Sequence, residues 1–252
     1  MFRLPFQKRV PPPPPPMIPP GVRAYAIGDV HGRADLLDAL LDDVFADHAR
    51  RAPARLRLVF LGDLIDRGPG SRDVVERVRG LVLSDDRVSC IIGNHEEVFL
   101  LALDGDADAL GMFLRIGGDA TLASYGIVDE IYASGSDAEL IDVMRARVPA
   151  EHVAFLSGLD DRVEIGGYLC VHAGVRPGIP LDAQQPTDLR WIRQPFLDHR
   201  GDFGKFIIHG HTPMGEVDVQ PNRIGIDTGA AYGGKLTAIG LESMQRWFLS
   251  VG

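Results

Sequence analysis

Three observations predict an α/β fold for this chain. Short apolar runs alternate with longer amphipathic ones, five of the short runs end in a glycine within two positions of an aspartate, asparagine or histidine, and 45% of the 252 residues are hydrophobic. The alternation supplies strands and the helices that cover them. The repeated endings place polar residues beyond the carboxyl ends of strands, where open α/β sheets bind ligands. The hydrophobic fraction suffices for the core of one large domain.

Residues 1–21 come first. Nine of the 18 prolines fall in "MFRLPFQKRVPPPPPPMIPP", which cannot form helix and offers few backbone donors to a sheet. We read this stretch as a disordered, extended polyproline tail, either a passive leader or a ligand for an aromatic-grooved adaptor domain. A truncation beginning at Gly21 is expected to leave catalysis intact. The folded domain is expected over residues 22–252. Its candidate strands are "VRAYAIGD", "LRLVFLGD", "RVSCIIGN", "GYLCVHAG", "KFIIHGHT", "NRIGIDTG", "KLTAIGLES" and "QRWFLSVG". Helical patterns at 34–48 and 71–83 separate the first three, with Ser71 as the expected N-cap of the second. Residues 96–161 hold helix-like pieces without a clear strand and read as a helical insertion. We expect it to set substrate choice, because it begins at a strand-end loop.

The net charge of −9 argues against general affinity for nucleic acid or anionic membrane, since both need clustered Lys and Arg. No apolar stretch approaches the roughly 20 residues of a membrane span, and the proline-broken start does not resemble a signal peptide, so a cytoplasmic location is expected. Cys90 and Cys170 sit in apolar strand-like runs and read as buried structural thiols.

The strand endings are "GDVHG", "GDLIDRG", "GNHE", "VHAG" and "HGHT". Asp29 and His31 are two apart, so in an extended segment they leave on the same side and reach one ion. Asp63 follows the next strand at the equivalent place, where its two oxygens allow it to bridge a second ion completed by Asn94, His172 and His211. Oxygen and imidazole ligands without thiolate suit manganese, iron, zinc or nickel. Manganese is our working assignment. Two such ions outweigh the charge of the two carboxylates and a metal-bound hydroxide, so a phosphate anion is attracted and the hydroxide attacks it directly. His95 follows a ligand and is expected to face the substrate, as a general acid that protonates the leaving oxygen.

These motifs resemble the calcineurin-like metallophosphoesterases, in particular the phosphoprotein phosphatase branch with its bacterial and phage serine/threonine phosphatases. GDxHG, GDxxDRG and GNHE occur here in order, followed by the two later histidines. The resemblance implies a central β-sandwich of mixed sheets flanked by helices. It implies one ion at Asp29, His31 and Asp63, and another at Asp63, Asn94, His172 and His211. It further implies that Asp66 orients His95 and that Arg67 binds phosphate. The downstream phosphate arginine best matches Arg193 in "DLRWIRQPFL", with Arg190 nearby.

The expected activity is metal-dependent hydrolysis of phosphoserine, phosphothreonine or phosphotyrosine in proteins, or of a small phosphoester. The rival within the family is symmetrical diadenosine tetraphosphate hydrolysis, whose enzymes usually carry a non-acidic residue where Asp66 stands and GNHD for GNHE. A rival of another class is a non-catalytic phosphate- or partner-binding protein. Other polar residues carry plainer expectations: surface or capping roles for His48, His152 and His199, a role behind the ligands or in the structure for His209, a turn for Asp227, and a helix start for Glu96 and Glu97.

Overall fold

The structure is a computed structural model and describes residues 15–128 and 135–252. Two five-stranded mixed sheets face each other. The first contains β1 (Val22–Ile27), β2 (Arg55–Phe60), β3 (Val88–Cys90), β9 (Leu236–Glu242) and β10 (Gln245–Val251), in the order β10-β9-β1-β2-β3. β1, β2 and β3 run parallel, while the β9–β10 hairpin pairs antiparallel against β1. The second contains β4 (Arg162–Ile165), β5 (Tyr168–Val171), β6 (Phe206–His209), β7 (Asp218–Val219) and β8 (Arg223–Gly225), in the order β4-β5-β6-β8-β7. Here β5, β6 and β8 are parallel. All eight expected strand runs contain a strand. β4 and β7 are additions, too short and too polar for their sequence to show alternation.

The side-chain period of two sorts each strand between two cores. Ala24 and Ala26 of β1 meet Val59, Ile239 and Leu241 of their own sheet and Tyr168, Cys170, Ile208 and Ile224 of the other, forming the sandwich interior. Tyr25 and Ile27 point to the opposite face, with Leu58 and Phe60, and pack under the helices α1 (Ala34–Arg50) and α2 (Ser71–Ser84). Leu169, Val171 and Ile207 cover the outer face of the second sheet against Leu189, Ile192 and Phe196, around the short helix α8 (Pro186–Trp191). Cys90 and Cys170 are free and buried, and burial pushes the Cys170 thiol up to about 12.

The insertion is helical where described: α3 (Asn94–Asp104), α4 (Ala107–Arg115), α5 (Gly118–Ser124), α6 (Asp137–Arg147) and α7 (Ala150–Ser157). α3 opens inside GNHE, two residues before the expected start. The expected N-cap of α2 is corrected: Gly70 holds that position and Ser71 is the first helical residue, its hydroxyl turned inward to accept from Asp66 N at 3.0 Å. Most of the proline-rich tail lies outside the described residues. From Pro16 onward the chain is packed earlier than the boundary expected at residue 22. Ile18 is fully buried between the sheets and donates its N–H to Ser243 O, while Met17 O accepts from Gly167 N. Among the described residues no helix is long and apolar enough to cross a membrane.

Candidate active site

The loops after β1, β2, β3, β5 and β6 converge at one end of the sandwich. Backbone bonds lock them together: Val30 N and His31 N donate to Asp63 O, and Gly210 N donates to His172 O. Two glycines set the closeness of approach. A Cβ at Gly210 would sit 1.9 Å from Asp29 Oδ1, and one at Gly93 would sit 2.1 Å from Asp63 Oδ1. Of the six non-glycine residues with positive φ among those described, five are His31, Asp63, Asp66, Arg67 and His211. Strained backbone of this kind persists where surrounding contacts over-determine it. The expectation that Asp29 and His31 share an extended segment is thereby corrected. β1 ends at Ile27, and His31 at φ 46° lies in a tight turn.

Asp63 sits at the centre. Its Oδ1 lies 3.3 Å from His172 Nε2, and its Oδ2 lies 3.6 Å from His31 Nε2 and 3.8 Å from His95 Nε2. The two oxygens thus face two different groups. One is His31, Asp63 and His95; the other is Asp63, His172 and His211; within each, the candidate ligand atoms lie within 4.8 Å of one another. Asn94 Oδ1 stands between His172 Nε2 at 2.9 Å and His211 Nδ1 at 2.8 Å. Asp29 belongs to neither three-residue group. Its Oδ2 accepts from His211 N at 2.9 Å, and its Oδ1 is buried without a partner, as is His211 Nε2. Buried atoms with lone pairs and no donor are costly unless a cation completes them. The donor set, oxygen and imidazole nitrogen around a shared carboxylate, fits two divalent ions.

Burial pushes the imidazoles of His31 and His211 down to about 3, toward the neutral form. Burial also opposes the charge on His172, but Asp63 beside it prevails and lifts it to about 10. Asp63 is driven up by burial and pulled well below the usual carboxylate range by His172 and His95. Asp29 is held well above that range by burial and by the nearby Asp227.

On the other side of Asp63, His95 Nδ1 meets Asp66 Oδ2 at 2.6 Å. Burial disfavours its charge, yet Asp63 and Asp66 together raise its pKa. Arg67 donates to His31 Nε2 and, at 2.9 Å, to His95 Nε2, so its guanidinium spans the first group of ligands. Arg193 is exposed, with a 3.4 Å bond to His211 O. Arg190 is committed elsewhere, to Asp161 at 2.6 Å and Glu97 at 2.7 Å. The sequence model of the calcineurin-like phosphoesterases matches residues 22–238. The chain is a calcineurin-like phosphoesterase.

Its relatives divide by substrate. An asymmetrical bis(5'-nucleosyl)-tetraphosphatase, PrpE, of Anoxybacillus flavithermus is 28% identical over 87% of this chain and 90% of its own. Serine/threonine-protein phosphatase 1 of Salmonella typhimurium is also 28% identical, over 84% and 89%. The crystal structure of a candidate diadenosine tetraphosphatase superposes with a TM-score of 0.65 at 21% identity, covering 94% of this chain and 99% of that one, a likeness of fold.

Several residues of this phosphoesterase do more than the sequence reading gave them. Glu96 is fully buried, and its carboxylate accepts from Asp63 N, Leu64 N, Ile65 N and Gly93 N, at 2.7–3.3 Å. It clamps the turn that carries Asp63, a role beyond starting a helix. The capping-box spacing from Gly93 to Glu96 was the available signal. His152 is buried too, bridging Tyr125 OH at 2.8 Å and Glu76 Oε2 at 2.9 Å, so the surface role is corrected. His209 is bonded to Gly210 O and Arg223 Nη1 and meets the ring of Phe196 edge to face, 5.0 Å between centroids. Asp227 does form a turn, accepting from Gly229 N, but it is buried beside the site. Thr121 had no local signal at all. It donates to Asp66 Oδ1 at 2.6 Å from 55 positions away.

Proposed function

We propose that this phosphoesterase is a dinuclear-metal-dependent phosphomonoesterase acting on phosphoserine and phosphothreonine in proteins. Asp29, His31 and Asp63 would hold one ion, and Asp63, Asn94, His172 and His211 the other. We take manganese as the metal; elemental analysis and reconstitution of the chelated protein test that choice. When bound, the ions supply Lewis acidity that makes a water nucleophilic at neutral pH and neutralises the phosphoryl oxygens. Arg67 and Arg193 orient the phosphate, Arg67 from a position already beside His31 and His95. His95 keeps Nδ1 against Asp66; once Arg67 leaves its Nε2 for the phosphate, that nitrogen takes up a proton and delivers it to the leaving oxygen. No phosphoenzyme forms on this route.

The observation that carries the reading is the 2.6 Å bond between His95 and Asp66. A serine alkoxide is a poor leaving group and needs a charged, oriented acid; the leaving group of a phosphoanhydride is far less basic and needs less. The second reading is hydrolysis of a dinucleoside tetraphosphate, favoured by the likeness to the Anoxybacillus enzyme. A comparison of kcat/KM for phosphoserine, phosphothreonine and phosphotyrosine peptides with that for diadenosine tetraphosphate separates the two. Preference for the peptides is expected, and a strong preference for the dinucleotide overturns the order. In the same assay His95→Asn should lower turnover on alkyl esters by about 100- to 10,000-fold, with a smaller loss on aryl esters. Equal losses would mean that the residue positions ions or water instead.

A further inference from the structure

We infer that Thr121, on the helical insertion, is a positioning residue for proton transfer: it fixes the carboxylate of Asp66 so that Oδ2 alone is presented to His95. This rests on the reading of His95 as the acid.

Thr121 is fully buried near the middle of α5. Its hydroxyl makes three contacts, all within the Asp66 turn. It donates to Asp66 Oδ1 at 2.6 Å, accepts from Asp66 N at 2.8 Å, and lies 3.0 Å from Ser71 Oγ. A hydroxyl has one proton, and the shortest contact to a carboxylate oxygen takes it. The side chain therefore grips one residue at both backbone and carboxylate. Asp66 needs such a grip, because at φ 73° it occupies the left-handed region that favours glycine. With Oδ1 engaged by Thr121, the carboxylate cannot rotate without breaking a short bond. Oδ2 remains for His95 Nδ1.

The neighbouring segment acts on the next residue in the same way. Gly117 O accepts from Arg67 N at 2.9 Å, and a Cβ on Gly117 would come within 2.8 Å of the Arg67 side chain. Residues 117–121 thus hold the backbone of Asp66 and Arg67 from outside the sandwich. The helices expected to choose the substrate also hold the proton donor in register.

Thr121→Val keeps shape and removes the hydroxyl. Asp66 N retains Ser71 Oγ as an acceptor, so the turn keeps a partner for its donor. The full-length variant is assayed with a phosphoserine peptide and with 4-nitrophenyl phosphate, alongside Thr121→Ser, His95→Asn and the Thr121→Val, His95→Asn double variant. Metal content and Tm are measured for each. The expected result is an about 10- to 100-fold lower kcat on the peptide, KM and metal content unchanged, and a loss under about threefold on the aryl ester. Thr121→Ser should restore the peptide rate to within about threefold of wild type. In the His95→Asn background, Thr121→Val should cost nothing further. Equal losses on both esters, or a full additional loss in that background, overturn the inference while the ester-dependent loss of His95→Asn alone leaves the acid intact. If His95→Asn shows no such dependence, the acid reading and this inference fall together. Should Thr121→Val not fold, Thr121→Ala carries the same comparison.

Discussion

At the scale of single residues, Glu96 decides the shape of the site without touching its ligand atoms. One carboxylate accepts four backbone N–H groups from two loops, and each of those groups would otherwise be buried and unpaired. Glu96→Gln replaces one oxygen with an NH2 that faces donors. A stability loss of about 1–3 kcal/mol is expected, read as a lower denaturant midpoint with unchanged m-value. Most of the site was legible in the sequence because each ligand-bearing residue stands within four residues of a strand end, with a glycine next to it or two positions away. Asp29, Asp63, Asn94, His172 and His211 need only the strand to be recognised. Thr121 and His152 could not be read this way, since the partners that define them lie 55 and 76 positions away and their own surroundings look like ordinary helix.

At the scale of elements, α1 is fastened to the first sheet by Asp47. Its Oδ2 accepts from Tyr25 OH of β1 at 2.7 Å, Trp247 Nε1 of β10 at 2.9 Å and Arg51 Nε at 2.9 Å. Burial raises this carboxyl, but the three donors outweigh it and hold the pKa below the usual carboxylate range. A depressed folded-state pKa gives stability that is present above the unfolded value of about 3.9 and is lost as pH falls through the folded one. Asp47→Asn should therefore cost about 1–3 kcal/mol at neutral pH. The gap from wild type should close in acid below about pH 4, as followed by denaturant titration at each pH. β10 also packs Trp247 onto Gly240 of β9, where a Cβ would lie 2.2 Å from the indole. Gly240→Ala should cost about 1–3 kcal/mol of stability through overpacking, read as a lower Tm. The strands of this sheet were readable from their apolar runs. β4 and β7 were not, because four and two residues are too few to show a period.

At the scale of the whole molecule, the candidate ligands come from both sheets, Asp29, Asp63 and Asn94 from one and His172 and His211 from the other. Bound ions would tie the sheets together, so exhaustive chelation should lower Tm as well as abolish turnover, and readdition of metal should reverse both. The start of the described chain also bridges the sheets, through Ile18 and Met17. A truncation beginning at Gly21 exposes the pocket of Ile18 and should cost about 2–3 kcal/mol with turnover per folded molecule preserved. Composition could show the prolines; it could not show that one isoleucine among them is core. The pairing of β1 with β9 has a consequence for synthesis. β1 can join β2 as soon as α1 has formed, but its other neighbour is more than two hundred positions later. At roughly 5–20 residues per second, ribosomes need on the order of ten to forty seconds to supply it. Throughout that interval the nascent chain carries an open strand edge, a ready template for aggregation that a chaperone must cover or the growing chain must outrun.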